Sequence, residues 1–158
     1  VDWAMHCAQI NFCRNADASL RSRCKRLRRQ FFGEPPAKYR RAEAAVIEST
    51  ESVLAIARPG ATCGDLAAAF YDTLARHGFN KDSRTGYSIG LSYPPDWGER
   101  TMSLRRSDDS ILRPGMVFHF MPALWLDDGG IETTEPILIT ETGVEKLSTL
   151  PGRLFVKG

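Results

Sequence analysis

The order of periodicities along this 158-residue chain predicts an α+β domain, with helices packed on one face of a curved, mostly antiparallel sheet. Three observations predict it. Apolar residues recur at helical spacing between Pro35 and Gly78, short extended segments follow after residue 86, and clusters of Pro, Gly and Asp separate those segments.

The elements follow in order. Pro35 and Pro36 suit a first helical turn, and Tyr39, Ala42, Val46, Val53, Leu54 and Ile56 recur near helical spacing until Arg58-Pro59-Gly60 stops the helix. A second helix starts at Thr62, whose hydroxyl can cap free amides with Asp65 three residues on. It carries Leu66, Phe70 and Leu74 on one face and ends at Gly78. His77, in its last turn, suits the negative end of the helix dipole and is assigned a structural task. Extended segments are expected at 87–91, 116–120, 123–126, 130–134, 136–140 and 153–156. Pro94 and Pro95 are read as stiffening a loop between the first two.

Hydrophobic residues make up 42% of the chain and charged residues 25%, an ordinary globular balance for one domain. The longest apolar runs are far shorter than the roughly 20 residues of a spanning helix, so no membrane partner and a cytoplasmic location are expected. The net charge of +2 hides an asymmetry: residues 1–32 carry +5 and the remainder −3. That divides the chain into a basic, divergent segment at 1–32 and a domain at 33–158. The basic segment lacks the interleaved aromatics and glycines of a nucleic-acid module, so no nucleic-acid partner is expected. Cys7, Cys13, Cys24 and Cys63 form no CxxC pair and read as reduced thiols.

The densest polar cluster is Asp96, Trp97, Glu99 and Arg100, directly after the two prolines. Glu132 and Glu135 follow, and read as three apart on one strand they would face opposite sides, leaving at most one for any pocket. His119 alternates with Phe118 and Phe120 and faces away from them, either as a surface histidine or as a proton carrier in a pocket. Gly86-Tyr87-Ser88-Ile89-Gly90 matches the spacing of a hydrolase nucleophile elbow, but an elbow opens a helix and two prolines bar one here. His119, Glu132 and Glu135 are the metal donors within the strands, and no DxD or HxH spacing accompanies them.

Taken together, RTGYSIGLSYPPDWGERTMSLR, MVFHFMPALWLDD and EPILITETGVEKL resemble the C-terminal half of the pita-bread fold of methionine aminopeptidases, Xaa-Pro peptidases and creatinase. Within that family the wording is most similar to the ectoine-hydrolase group, from about Gly33 to Lys157. Where the family's metallopeptidases keep a ligand histidine after R-T-G, Tyr87 stands; at their glutamate before proline stands Met121; at their last ligand glutamate stands Thr134, with Glu135 one residue off. Pro94 falls where the peptidases keep a further histidine. The resemblance therefore implies a site with neither metal nor cofactor that opens the ectoine ring. Glu99, Glu135 and His119 are the catalytic candidates, and Arg84, Tyr87, Asp96, Trp97 and Trp125 the substrate-binding ones.

The implied partner is a small, ectoine-like zwitterion: a tryptophan takes the cationic amidinium, a glutamate its nitrogens and Arg84 the carboxylate. The family's N-terminal domain and first half of the catalytic domain find no match in residues 1–32. A truncated homo-oligomer, poorly active alone, is therefore expected, with Phe118, Phe120 and Leu124 left uncovered to drive association. An Xaa-Pro metallopeptidase relative and a non-catalytic remnant are the other readings.

Overall fold

The computed structural model describes residues 31–32, 34–90, 98–127, 129–149, 152–154 and 156–157. The architecture is α+β. Strand β1 (Phe31–Phe32) precedes helices α1 (Ala37–Ile56) and α2 (Cys63–Arg76). Strands β2 (Gly86–Ile89), β3 (Gly98–Ser103), β4 (Val117–Phe120), β5 (Ala123–Leu126), β6 (Gly129–Glu132), β7 (Glu135–Ile139), β8 (Val144–Lys146) and β9 (Val156–Lys157) follow.

Helix α1 starts immediately after Pro36, whose φ of −54° is already helical and whose missing N–H costs nothing there. Thr62 opens α2 with a full capping box: its side chain accepts from the Asp65 amide at 3.0 Å, and the Asp65 carboxylate accepts from the Thr62 amide at 2.8 Å. Helix α1 ends in an extended Ala57, and Gly60, with φ of 90°, turns the chain between the helices. Gly78, with φ of 76°, follows the C-cap His77 of α2 in a conformation that a side chain would strain. His77 sits at the end of α2 with Nε2 2.8 Å from Glu48 Oε2 on α1, a helix-to-helix tie.

Five strands form one antiparallel sheet in the order β3-β2-β4-β7-β8; β5 and β6 form a separate hairpin, and β1 pairs in parallel with β9. One face of the sheet carries Phe118, Phe120, Ile137 and Ile139, all fully buried against Val46 and Val53 of α1 and Leu66, Phe70 and Leu74 of α2. Phe70 meets Phe120 edge to face, with ring centroids 5.9 Å apart.

This packing corrects the expectation that Phe118, Phe120 and Leu124 lie uncovered. All three are buried, because α1 and α2 cover the sheet and hairpin faces that bear them. Three strands also depart from the sequence reading. Gly98–Ser103 forms β3 where a loop was expected to run on past the prolines, Val144–Lys146 forms the edge strand β8, and the 153–156 segment contributes only the short β9. Glu132 closes β6 and Glu135 opens β7, so the two lie on different strands. Among the described residues no helix is long and apolar enough to cross a membrane.

Candidate functional site

Register alone separates the two sides of the sheet. Tyr87 on β2 lies directly opposite His119 on β4 and Ser103 on β3, and His119 lies opposite Pro136 on β7. Directly opposed residues share a face, so Tyr87, Ser103 and His119 project from the side turned away from the helices. Sequence alternation had placed His119 opposite its phenylalanine neighbours, and the strand does so.

The side chains on that face interlock. The Tyr87 hydroxyl lies 2.9 Å from His119 Nδ1, and their rings meet edge to face at 5.2 Å. The Arg84 guanidinium lies over the Tyr87 ring, 4.6 Å from its centroid. Burial, reinforced by the Arg84 charge, pushes the His119 pKa down to about 4, so the imidazole is neutral at physiological pH. Ser103 Oγ is buried on the same face without a hydrogen-bond partner. A buried hydroxyl left unpaired is costly, and a ligand's polar group can satisfy it.

Glu135 is not part of this constellation. It lies opposite Phe120, on the helix side of the sheet, where it is buried and Lys146 Nζ approaches Oε2 to 3.0 Å. The one-residue offset from Thr134 reversed its face. Trp125, 39% exposed, lies on the hairpin face shared with Ala123 and Glu132. Ser88 belongs to the opposite side of β2 from Tyr87, with Oγ 2.9 Å from Thr101 Oγ1, and no helix follows its strand directly. Cys63 is buried, and burial pushes its thiol up to about 12, out of nucleophilic use. Asp96 and Trp97 lie outside the described residues, as does the Glu99 side chain. So do Pro94, Cys7, Cys13 and Cys24.

Sequence reasoning passed over Ser103 and Lys81. Lys81, after α2, is buried with Nζ 2.9 Å from Ser83 Oγ, and burial drives its pKa down to about 8 against the attraction of Glu132. Neither stands out in a sequence: Ser103 reads as one more polar residue near a turn, and Lys81 as a solvated loop cation.

Residues 18–141 match the metallopeptidase family M24. The chain belongs to family M24. It is 54% identical over 128 residues to the ectoine hydrolase of Halomonas elongata, an alignment covering 80% of this chain and 32% of that relative. It is 28% identical to a creatinase from Bacillus over 62% of this chain and 26% of the relative. The X-Pro aminopeptidase structure from Thermotoga maritima superposes with a TM-score of 0.72 at 29% identity, covering 80% of this chain and 35% of that one. The fold is that of the C-terminal half of the M24 pita-bread domain, and the chain spans about a third of the length of the curated relatives it matches.

The M24 family name implies a metal, and the described residues do not fit one. Tyr87, Met121 and Thr134 occupy the positions where the resemblance places ligands. The Tyr87 hydroxyl is engaged by His119, and the Glu135 carboxylate is held by Lys146 on the far side of the sheet. Among the described residues no group of three or more His, Cys, Asp or Glu side chains converges.

Proposed function

We propose that this M24 chain belongs to an ectoine hydrolase-type enzyme that opens the ring of a small cyclic amidine by hydrolysis without a metal, in a cytoplasmic homo-oligomer. The observation that carries the reading is the Tyr87–His119 pair, which stands where the family's peptidases place a ligand histidine and joins a phenol to a neutral imidazole at 2.9 Å. The 54% identity to an ectoine hydrolase supports the choice of substrate.

Hydrolysis adds water to the amidinium carbon, forms a C–O bond that becomes the amide carbonyl, breaks a C–N bond and passes both water protons to the departing nitrogen, which leaves as an ammonium; the first proton must be taken from the water as it attacks. A neutral imidazole can accept that proton and return it, whereas an imidazolium cannot accept it. His119, held neutral by its burial beside Arg84, is in the competent state at pH 7. Tyr87 fixes the ring orientation and extends the hydrogen-bonded path by one hydroxyl. Arg84 offers its planar fork to the substrate carboxylate, Trp125 its indole to the cation, and Ser103 Oγ a hydrogen bond. Asp96 and Trp97 are proposed as further substrate-binding residues, and Glu99 as a second carboxylate for the chemistry.

Chromatography of ectoine incubated with the purified protein tests this reading. Ring opening is expected, with His119→Gln slowing it by about 10² or more, the scale of an acid–base contribution. Undiminished turnover in His119→Gln would remove the assignment, and cleavage of an Xaa-Pro dipeptide with no action on ectoine would replace it.

A further inference from the structure

A buried cation, Lys81, and a half-buried carboxylate, Glu132, stand beside this site without touching each other. Lys81 precedes β2, and Glu132 ends β6 directly opposite Ala123. The Met121 amide donates to the Thr85 carbonyl at 2.7 Å and the Thr133 amide to the Pro122 carbonyl at 2.9 Å. These bonds bring the Lys81 loop and the Glu132 end of the hairpin to the same end of the β2–β4 ladder. There Gly86 opposes Phe120, and Tyr87–His119 is the next rung.

Lys81 is 9% exposed, and Ser83 Oγ accepts one of its three N–H donors at 2.9 Å. Burial lowers its pKa to about 8 and raises that of Glu132, each partly offset by the charge of the other. The attraction acts through space and not as a contact ion pair. Desolvated charges are costly, and a charge pair with a gap between its members leaves room for the polar groups of a ligand. A molecule carrying both signs compensates both at once. Trp125 shares the hairpin face with Glu132, two rungs along on the partner strand, a diagonal neighbour within reach of a large side chain.

We propose that Lys81 and Glu132 form a two-charge cradle for a zwitterion, Glu132 taking the cationic end against Trp125 and Lys81 joining Arg84 at the carboxylate. The proposal deepens the hydrolase reading and rests on it for the substrate class, though not for the identity of the zwitterion. It also replaces Glu135, which the sheet turns toward the helices, with Glu132 as the carboxylate that meets the substrate cation.

Calorimetry on the purified protein separates the two charges, with ectoine, its methyl ester, creatine and glycyl-proline as probes. Glu132→Gln is expected to weaken ectoine and its ester alike, by tenfold or more, because both carry the cation. Lys81→Met is expected to weaken ectoine by a similar factor and to leave the ester, which has no carboxylate, within about twofold. Lys81→Arg, which keeps the charge should Lys81→Met not fold, is expected to retain most of the ectoine affinity. Equal losses for ectoine and ester in Lys81→Met, or less than twofold change in either neutral variant, would overturn the cradle. Binding of creatine or glycyl-proline in place of ectoine, lost on both substitutions, would uphold the cradle and remove the ectoine reading. Binding of none of the four probes would overturn the cradle itself.

Discussion

At the scale of single residues, His119 shows how a strand position becomes a chemical group. Its pKa falls from an ordinary 6.5 to about 4 through burial and then the Arg84 charge. Between those two values the unfolded chain holds a proton that the folded chain refuses. The stability contributed is therefore complete above about pH 6.5 and lost as pH falls toward 4, a span worth at most ~3 kcal/mol. Glu132, whose pKa burial raises, works in the opposite direction, so the comparison must be differential. Urea unfolding at pH 7 and pH 4.5 is expected to show a fall in stability that is smaller in His119→Gln. An identical fall in both proteins would mean that His119 is solvated. The sequence placed this residue on the correct side of its strand but could not choose between surface and pocket, because that depends on Arg84 and Tyr87 arriving from another strand. For Glu135 the charge is visible in the sequence, while the face it takes depends on the register of β7 against β4, where it lies opposite Phe120.

At the scale of elements, the helices were legible because their signals are local. The Thr62–Asp65 capping box and the Gly78 stop are written within four residues of the ends they control. Strand β3 was not legible, although it pairs with the strand that precedes it, because Pro94 and Pro95 read as a loop extending past Gly98. Gly86 marks the same limit. Its place in an elbow-like spacing drew notice, yet its role is packing. A Cβ there would sit 2.7 Å from the His119 carbonyl oxygen and 2.8 Å from Leu104 Cδ1. The backbone oxygen cannot move without β4, so Gly86→Ala is expected to displace the Tyr87–His119 rung as well as destabilise the fold. Thr62→Ala, which removes a cap remote from the site, is expected to cost about 1 kcal/mol and to leave ligand affinity unchanged. Thermal melts paired with calorimetry distinguish the two. A Gly86→Ala protein that binds as tightly as the parent would show that β2 and β4 can separate without cost to the site.

At the scale of the whole molecule, metal binding is a property of several strands at once, since a dinuclear centre needs donors that converge from different parts of the sheet. In this chain β2 offers Tyr87, the segment after β4 offers Met121 and the segment before β7 offers Thr134. The phenol is tied to His119, the thioether is soft, and Glu135, next in sequence to Thr134, faces the helices with Lys146 beside it. Replacing one ligand position would weaken a centre; with three altered, the described residues offer a hard divalent ion such as manganese no convergent set of His, Cys, Asp or Glu donors. Dialysis of the purified protein against a strong chelator is therefore expected to leave both its melting temperature and its affinity for ectoine unchanged, with elemental analysis substoichiometric in manganese, cobalt and zinc. One or more equivalents of any of these, released together with ectoine affinity and restored by adding the ion back, would mean that donors outside the described residues complete a centre after all.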